Sequence, residues 1–151
     1  LVIPRLHVSA RIYEIGMVTD KNDPKYRTLT PPRDPAAVGW WRDGPRPGAP
    51  KGSALILGHT QKVPGAVGVG DGALGHISRL RPRDRIDVTT DGGTIHYSVT
   101  KVAPDWSYQK VAKDAQSIDD RDFPDGRLVL ITCWYDGIRF SGNTFVFAEP
   151  L

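Results

Sequence analysis

The sequence predicts a mostly β domain, a closed or nearly closed β-barrel or a sandwich of about seven to eight strands with little helix. Three observations point that way. Short apolar clusters recur along the whole length, too short for a helical bundle. Sixteen glycines and thirteen prolines punctuate them in 151 residues. One segment has the full pattern of a β-hairpin: Arg85 to Thr89 alternates, Asp91-Gly92-Gly93 turns, and Ile95, Tyr97 and Val99 alternate again. The length fits one domain, residues 1–151, and is enough to bury a core.

Taken in order, Val2 to Val18 reads as one or two extended segments, with Pro4 at an edge or strand start. Thr19 to Pro35 is polar and proline-rich, a loop. Val38 to Trp41 follows, then a Pro/Gly loop through Gly52. Ala54 to Leu57 is a continuous apolar run, a buried strand that ends in Gly58-His59-Thr60. Gln61 to Gly72 is a glycine-rich loop, and Leu74, Ile77 and Leu80 fall on one face of a short helix. After the hairpin, Pro104 to Pro124 is a long polar connection with a helical turn around Ala112 to Ile118. Leu128 to Ile131 is a second buried strand leading through Thr132 to Cys133, and Trp134 to Gly137 reads as a turn. Asn143 to Ala148 is the last strand.

Composition excludes several classes. Hydrophobic content of 39% and charged content of 25% fit a globular chain and not a disordered one. Net charge is +3, and the basic run Arg79, Arg81, Arg83 and Arg85 is interrupted by Asp84 and Asp87, so it reads as a solvated face. No basic stripe with interleaved aromatics marks a nucleic-acid partner. The single cysteine permits no intrachain disulfide. No segment has the length of a transmembrane helix, and none has the pattern of a signal peptide.

Cys133 and His59 are the candidates for chemistry. A lone cysteine is most often a small buried hydrophobe. Cys133, however, follows a buried strand and precedes turn residues, which sets a thiol at the rim of a barrel. His59 has the same setting at the end of another apolar strand. His7 and His96 lie in alternating, outward-facing strands, and His76 on the short helix. A Cys–His pair suits acyl transfer: thiolate as nucleophile, imidazole as acid and base. The tetrahedral oxyanion then needs a donor, and Arg139, shortly after Cys133, is a candidate.

Leu57-Gly58-His59-Thr60, followed far downstream by Leu130-Ile131-Thr132-Cys133, resembles the sortase family of cysteine transpeptidases. Val129 stands where that family's cysteine motif has a threonine. The stretches Gly39 to Pro45 and Leu80 to Ile86 resemble the actinobacterial class F subgroup. The resemblance covers essentially the whole chain. It implies a closed eight-stranded β-barrel with one or two short helices. It also implies cleavage of a Leu-Pro-x-Thr-Gly sorting signal between Thr and Gly through a thioester on Cys133. Transfer to a cell-wall amine of the lipid II type would follow, with His59 as acid/base. In similar sequences the catalytic arginine falls where this chain has Ser141, so Arg139 is expected to replace it. Thr132 and Trp134 are expected beside the substrate. Alternatively, Thr132 belongs to the barrel core, since it faces away from Cys133, and Trp134 is a packing aromatic. Some sortases bind calcium through acidic residues after the histidine motif. The loop here offers only Asp71, so no calcium, other metal or cofactor is expected. The family further implies a monomer at the extracytoplasmic face of the membrane, held by an N-terminal anchor that is not within these residues.

Two other readings compete. One is a non-catalytic β-barrel binding module on the cell surface, with Cys133 structural and Trp40–Trp41 gripping a ligand. The other is a different cysteine enzyme. An L,D-type wall transpeptidase carries a histidine close to its cysteine, which is absent here. A papain-like protease places its cysteine early, at a helix start, whereas Cys133 is late.

Overall fold

A computed structural model describes residues 1–63 and 65–151. The described residues form eleven strands and two short helices. In chain order the strands are β1 (Val2–Ile3), β2 (Val8–Ser9), β3 (Ile12–Ile15), β4 (Val18–Thr19), β5 (Arg27–Thr28), β6 (Val38–Trp41) and β7 (Ser53–Gly58). They continue with β8 (Arg85–Thr90), β9 (Gly93–Ser107), helices α1 (Tyr108–Lys113) and α2 (Ala115–Ile118), then β10 (Arg127–Tyr135) and β11 (Phe140–Pro150). Nine strands make one curled sheet in the order β2-β1-β8-β9-β11-β10-β7-β6-β3, and β4 pairs with β5 apart from it.

The mostly β class and the short helices match the sequence reading. The sheet itself differs from an eight-stranded closed barrel. It has nine strands, and among the described residues no pairing joins its ends, β2 and β3, so what is seen is a half-barrel. The edges are short for a local reason. Pro4 starts a 3-10 turn over Pro4–Leu6, and His7 at φ 53 breaks the extended N-terminal segment into pieces.

The strands at the sheet's centre are buried on both faces, which is why they read as continuous apolar runs. One cluster, inside the curl, gathers Ile56, Leu128, Leu130 and Val146 with Ile3, Ile86, Val88 and Tyr97. Leu74, Ile77 and Leu80 cap it from the 70s segment. Their spacing of three is realised as a 3-10 turn at Ile77–Arg79 and not an α-helix. The outer cluster joins Leu55, Leu57, Val129, Phe145 and Phe147 to Ile118 of α2, with Trp106 and Val111 packed against it. Each fully buried side chain of this size contributes roughly 1.5–3 kcal/mol. The outer cluster therefore holds the long connection down on the sheet.

Several boundaries moved. β9 runs through Pro104 to Ser107, where a loop was expected. Its ladder with β11 shifts register between Asn143 and Phe145, and the Pro104 carbonyl accepts the Thr144 hydroxyl at 2.6 Å. The proline thus sits at a bulge where its missing N–H is not needed. The Thr19–Pro35 loop contains the β4–β5 pair. β10 continues two residues past Cys133 because Trp134 and Tyr135 pair with Gly142 and Phe140.

Candidate active site

β7 and β10 lie side by side and parallel, in the register Arg127↔Ser53 through Ile131↔Leu57. The ladder ends there, Thr132 Oγ1 reaches the Gly58 carbonyl just beyond it, and Cys133 and His59, each two residues past the last paired position, line one cleft. Adjacent strands are about 5 Å apart, so two residues distant in sequence are carried to the same end of the sheet. On its other side Cys133 is still paired, with Asn143 of β11. The thiol therefore sits where the parallel ladder ends and the antiparallel one continues.

A hydroxyl pair pins this junction. Thr132 Oγ1 lies 2.9 Å from the Gly58 carbonyl oxygen. Thr60 Oγ1 lies 2.9 Å from the Cys133 carbonyl oxygen, and the two hydroxyls are 2.8 Å apart. Both threonines are 5% exposed. Two hydroxyl protons can satisfy only two of the three contacts at once, and any two of them join the strand ends. Behind the turn, Gly72 N–H donates to Thr60 O at 3.1 Å, and a Cβ at Gly72 would collide with the His59 carbonyl. Only a glycine admits that approach.

His59 is half-buried, and its Nε2 is 2.6 Å from the Pro32 carbonyl oxygen. A carbonyl can only accept, so Nε2 carries a proton and Nδ1 is the nitrogen left to face the cleft chemistry. The proline-rich loop that supplies this acceptor is itself tied down. Ala36 N–H donates to Asp34 Oδ1 at 2.9 Å, and Ala73 N–H to Pro35 O at 2.8 Å.

Cys133 is exposed as a residue, but the walls around its thiol desolvate it and push its pKa above the ordinary 9.0. It opens onto two cavities. One, about 410 Å³, is shared with His59, Thr60, Arg33, Phe140 and the valines Val63 and Val67. The other, about 210 Å³, is lined by Thr132, Trp134, Tyr135 and Asp105. A thiol so placed is not a core hydrophobe. Trp40 and Trp41 do not form a common ligand face. Consecutive on β6, they pack against opposite clusters, with Trp40 Nε1 donating to Pro45 O at 3.0 Å.

The structure thus brings His59 and Cys133 to one cleft, and Thr132 and Trp134 to the smaller cavity beside the thiol. Arg139 lies in the exposed turn between β10 and β11, where its backbone exchanges hydrogen bonds with Asp136. Among the described residues it does not line either cavity. Ser141 Oγ donates to Asp136 Oδ2 at 2.8 Å. The register between β10 and β11 shifts at Trp134/Tyr135, so Arg139 and Ser141 are not two steps along a regular strand. Three participants escaped the sequence reading. Arg33 and Phe140 line the thiol cleft. Tyr108 has its phenol pushed up, first by desolvation and then by the Cys133 charge, so it stands within electrostatic reach of the thiol. Only the length of the loop before β6 hinted at Arg33. Among the described residues no three of His, Cys, Asp and Glu gather as metal ligands, and Asp71 pairs with His76 at 3.2 Å. No helix among them is long and apolar enough to cross a membrane.

Comparison with curated proteins finds no match. Among solved structures, sortase E1 from Streptomyces coelicolor with a tripeptide in its active site is similar at TM-score 0.70 and 20% identity, over 99% of this chain and 85% of that one. Sortase C-1 from Actinomyces oris is similar at TM-score 0.65 and 24% identity, over 99% of this chain and 71% of that one. Sortase A from Listeria monocytogenes gives TM-score 0.64 and 22% identity, over 99% and 83%. These likenesses establish the fold. The sortase domain model matches residues 1–151, and the chain belongs to the sortase family.

Proposed function

We propose that this domain is a cysteine transpeptidase that cuts a Leu-Pro-x-Thr-Gly type sorting signal between Thr and Gly and transfers the acyl part to a cell-wall amine. The observation that supports the reading is that His59 and Cys133, just past the ends of the parallel β7–β10 ladder, line one cleft. The Cys133 thiolate attacks the Thr carbonyl carbon. A C–S bond forms, and the carbonyl electron pair moves to oxygen. Collapse breaks the C–N bond, and the imidazolium of His59 gives its proton to the departing glycine amine. The incoming amine then loses a proton to His59 and displaces sulfur. Burial keeps the thiolate a minority species at neutral pH, but a thiolate of high pKa is the stronger nucleophile.

Arg139 is assigned to the oxyanion, from the turn that precedes cleft-lining Phe140. Thr132 and Trp134 are assigned to the substrate through the smaller cavity. The Gly39 to Pro45 and Leu80 to Ile86 stretches support the class F subgroup. A lipid II type acceptor, a monomeric state and a place at the extracytoplasmic face of the membrane belong to the same reading. Mass spectrometry of the protein incubated with a Leu-Pro-x-Thr-Gly peptide tests it. An acyl adduct on Cys133, lost in Cys133→Ala, is expected. Cleavage that persists in Cys133→Ala would refute it.

A further inference from the structure

Arg33 is exposed on the loop whose Pro32 carbonyl holds His59. Its flanks are fixed by the Asp34 turn and by the Pro35–Ala73 backbone bond. Its side chain has no ion pair or hydrogen bond among the described residues. It lines the cleft of Cys133 and His59, and among the described residues no carboxylate lines that cleft with it. The rest of the wall is largely apolar. Val63 and Val67 are 64% and 72% exposed there. Exposed valines around one free guanidinium describe a surface shaped for an apolar peptide that carries a negative charge. The Asp34 carboxylate, the nearest in sequence, is turned back onto its own backbone by the Ala36 bond.

Resting on the transpeptidase reading, we propose that Arg33 sets the sorting-signal preference of this enzyme, selecting an acidic residue at the variable position of the peptide. The pair forms at a solvated rim, where an ion pair gives about a two- to five-fold effect, screened by salt.

The test compares Leu-Pro-Glu-Thr-Gly, Leu-Pro-Gln-Thr-Gly and Leu-Pro-Lys-Thr-Gly peptides by kcat/KM at low ionic strength. Wild type is expected to rank Glu over Gln over Lys, with about two- to five-fold between Glu and Gln. Arg33→Ala should erase the ranking and Arg33→Glu should invert it, while Arg139→Ala lowers all three together. An unchanged ranking in Arg33→Glu would overturn the proposal. A second arm needs no turnover. The rates at which anionic sulfonatoethyl and cationic trimethylammonioethyl methanethiosulfonates modify Cys133 are compared in wild type and Arg33→Glu. Because reagent charge and residue charge both reverse, the single-pair factor enters about four times, and the anionic-to-cationic ratio should fall by more than about ten-fold in the variant. If no peptide is cleaved but the ratio falls, the transpeptidase reading fails and the Arg33 charge at the cleft stands. If the ratio is unchanged, Arg33 does not govern the cleft.

Discussion

Replacing Thr132 by Val tests whether the hydroxyl clamp holds the two strand ends together. The substitution deletes the donor to the Gly58 carbonyl and the 2.8 Å contact with Thr60, in a side chain 5% exposed. A net neutral hydrogen bond contributes about 1 kcal/mol, and a buried acceptor left without its donor costs about 1 kcal/mol more. The expected loss is therefore about 2 kcal/mol. Thr60→Val removes the bond to the Cys133 carbonyl and the same shared contact. That carbonyl belongs to an exposed residue, where water can replace the lost donor, so the cost is about 1 kcal/mol. The shared contact is lost once in the double variant and not twice. The double variant should then fall short of the sum by about 0.5–1 kcal/mol. Urea unfolding of the four proteins closes the cycle, with m-values checked for constancy. Coupling within about 0.3 kcal/mol of zero would mean that the two threonines act independently, and the clamp would be refuted.

Two further outcomes follow from the same structure. Because burial raises the Cys133 thiol above 9.0, the unfolded chain loses that proton first. The folded state then binds more protons, so stability falls as pH rises from 9.0 toward the raised value. The urea midpoints of wild type and Cys133→Ser should diverge over that window, and parallel curves would remove the account. Iodoacetamide labelling of the folded protein should likewise reach half of its plateau rate only above pH 9.0, the midpoint of an ordinary thiol. Phe145, 1% exposed with its ring centroid 5.2 Å from that of Trp106, anchors the outer cluster. Phe145→Ala should cost about 3–5 kcal/mol by calorimetry or denaturant, and a loss under 1 kcal/mol would mean that the cluster repacks freely.

Much of this was legible in the residues. Ala54–Leu57 and Leu128–Ile131 read as strands buried on both faces because no polar residue interrupts them, and the double cluster is what they bury into. The Asp91-Gly92-Gly93 turn fixed one hairpin because Gly93 at φ 118 adopts a conformation that side-chain-bearing residues avoid. Cys133 and His59 were visible as matched strand endings. What sequence could not carry was lateral order: nothing local states that β7 neighbours β10, or that Arg33 would reach the cleft from a loop two strands away. Arg139 illustrates the same limit. Alternation along a strand put it on the face of Ser141, but the register shift beside Tyr135 breaks that alternation.

The parallel adjacency of β7 and β10 has a consequence for the order in which the molecule assembles. A hairpin can bring its two strands together early, because the loop it closes is short, but a parallel pair must wait for the chain between them. β8, β9 and both helices lie in that interval. Cys133 thus meets His59 only when the long-range pairing is complete. Partly folded or truncated chains carry an ordinary cysteine and no assembled pair, so reactivity is coupled to the completed fold by topology alone.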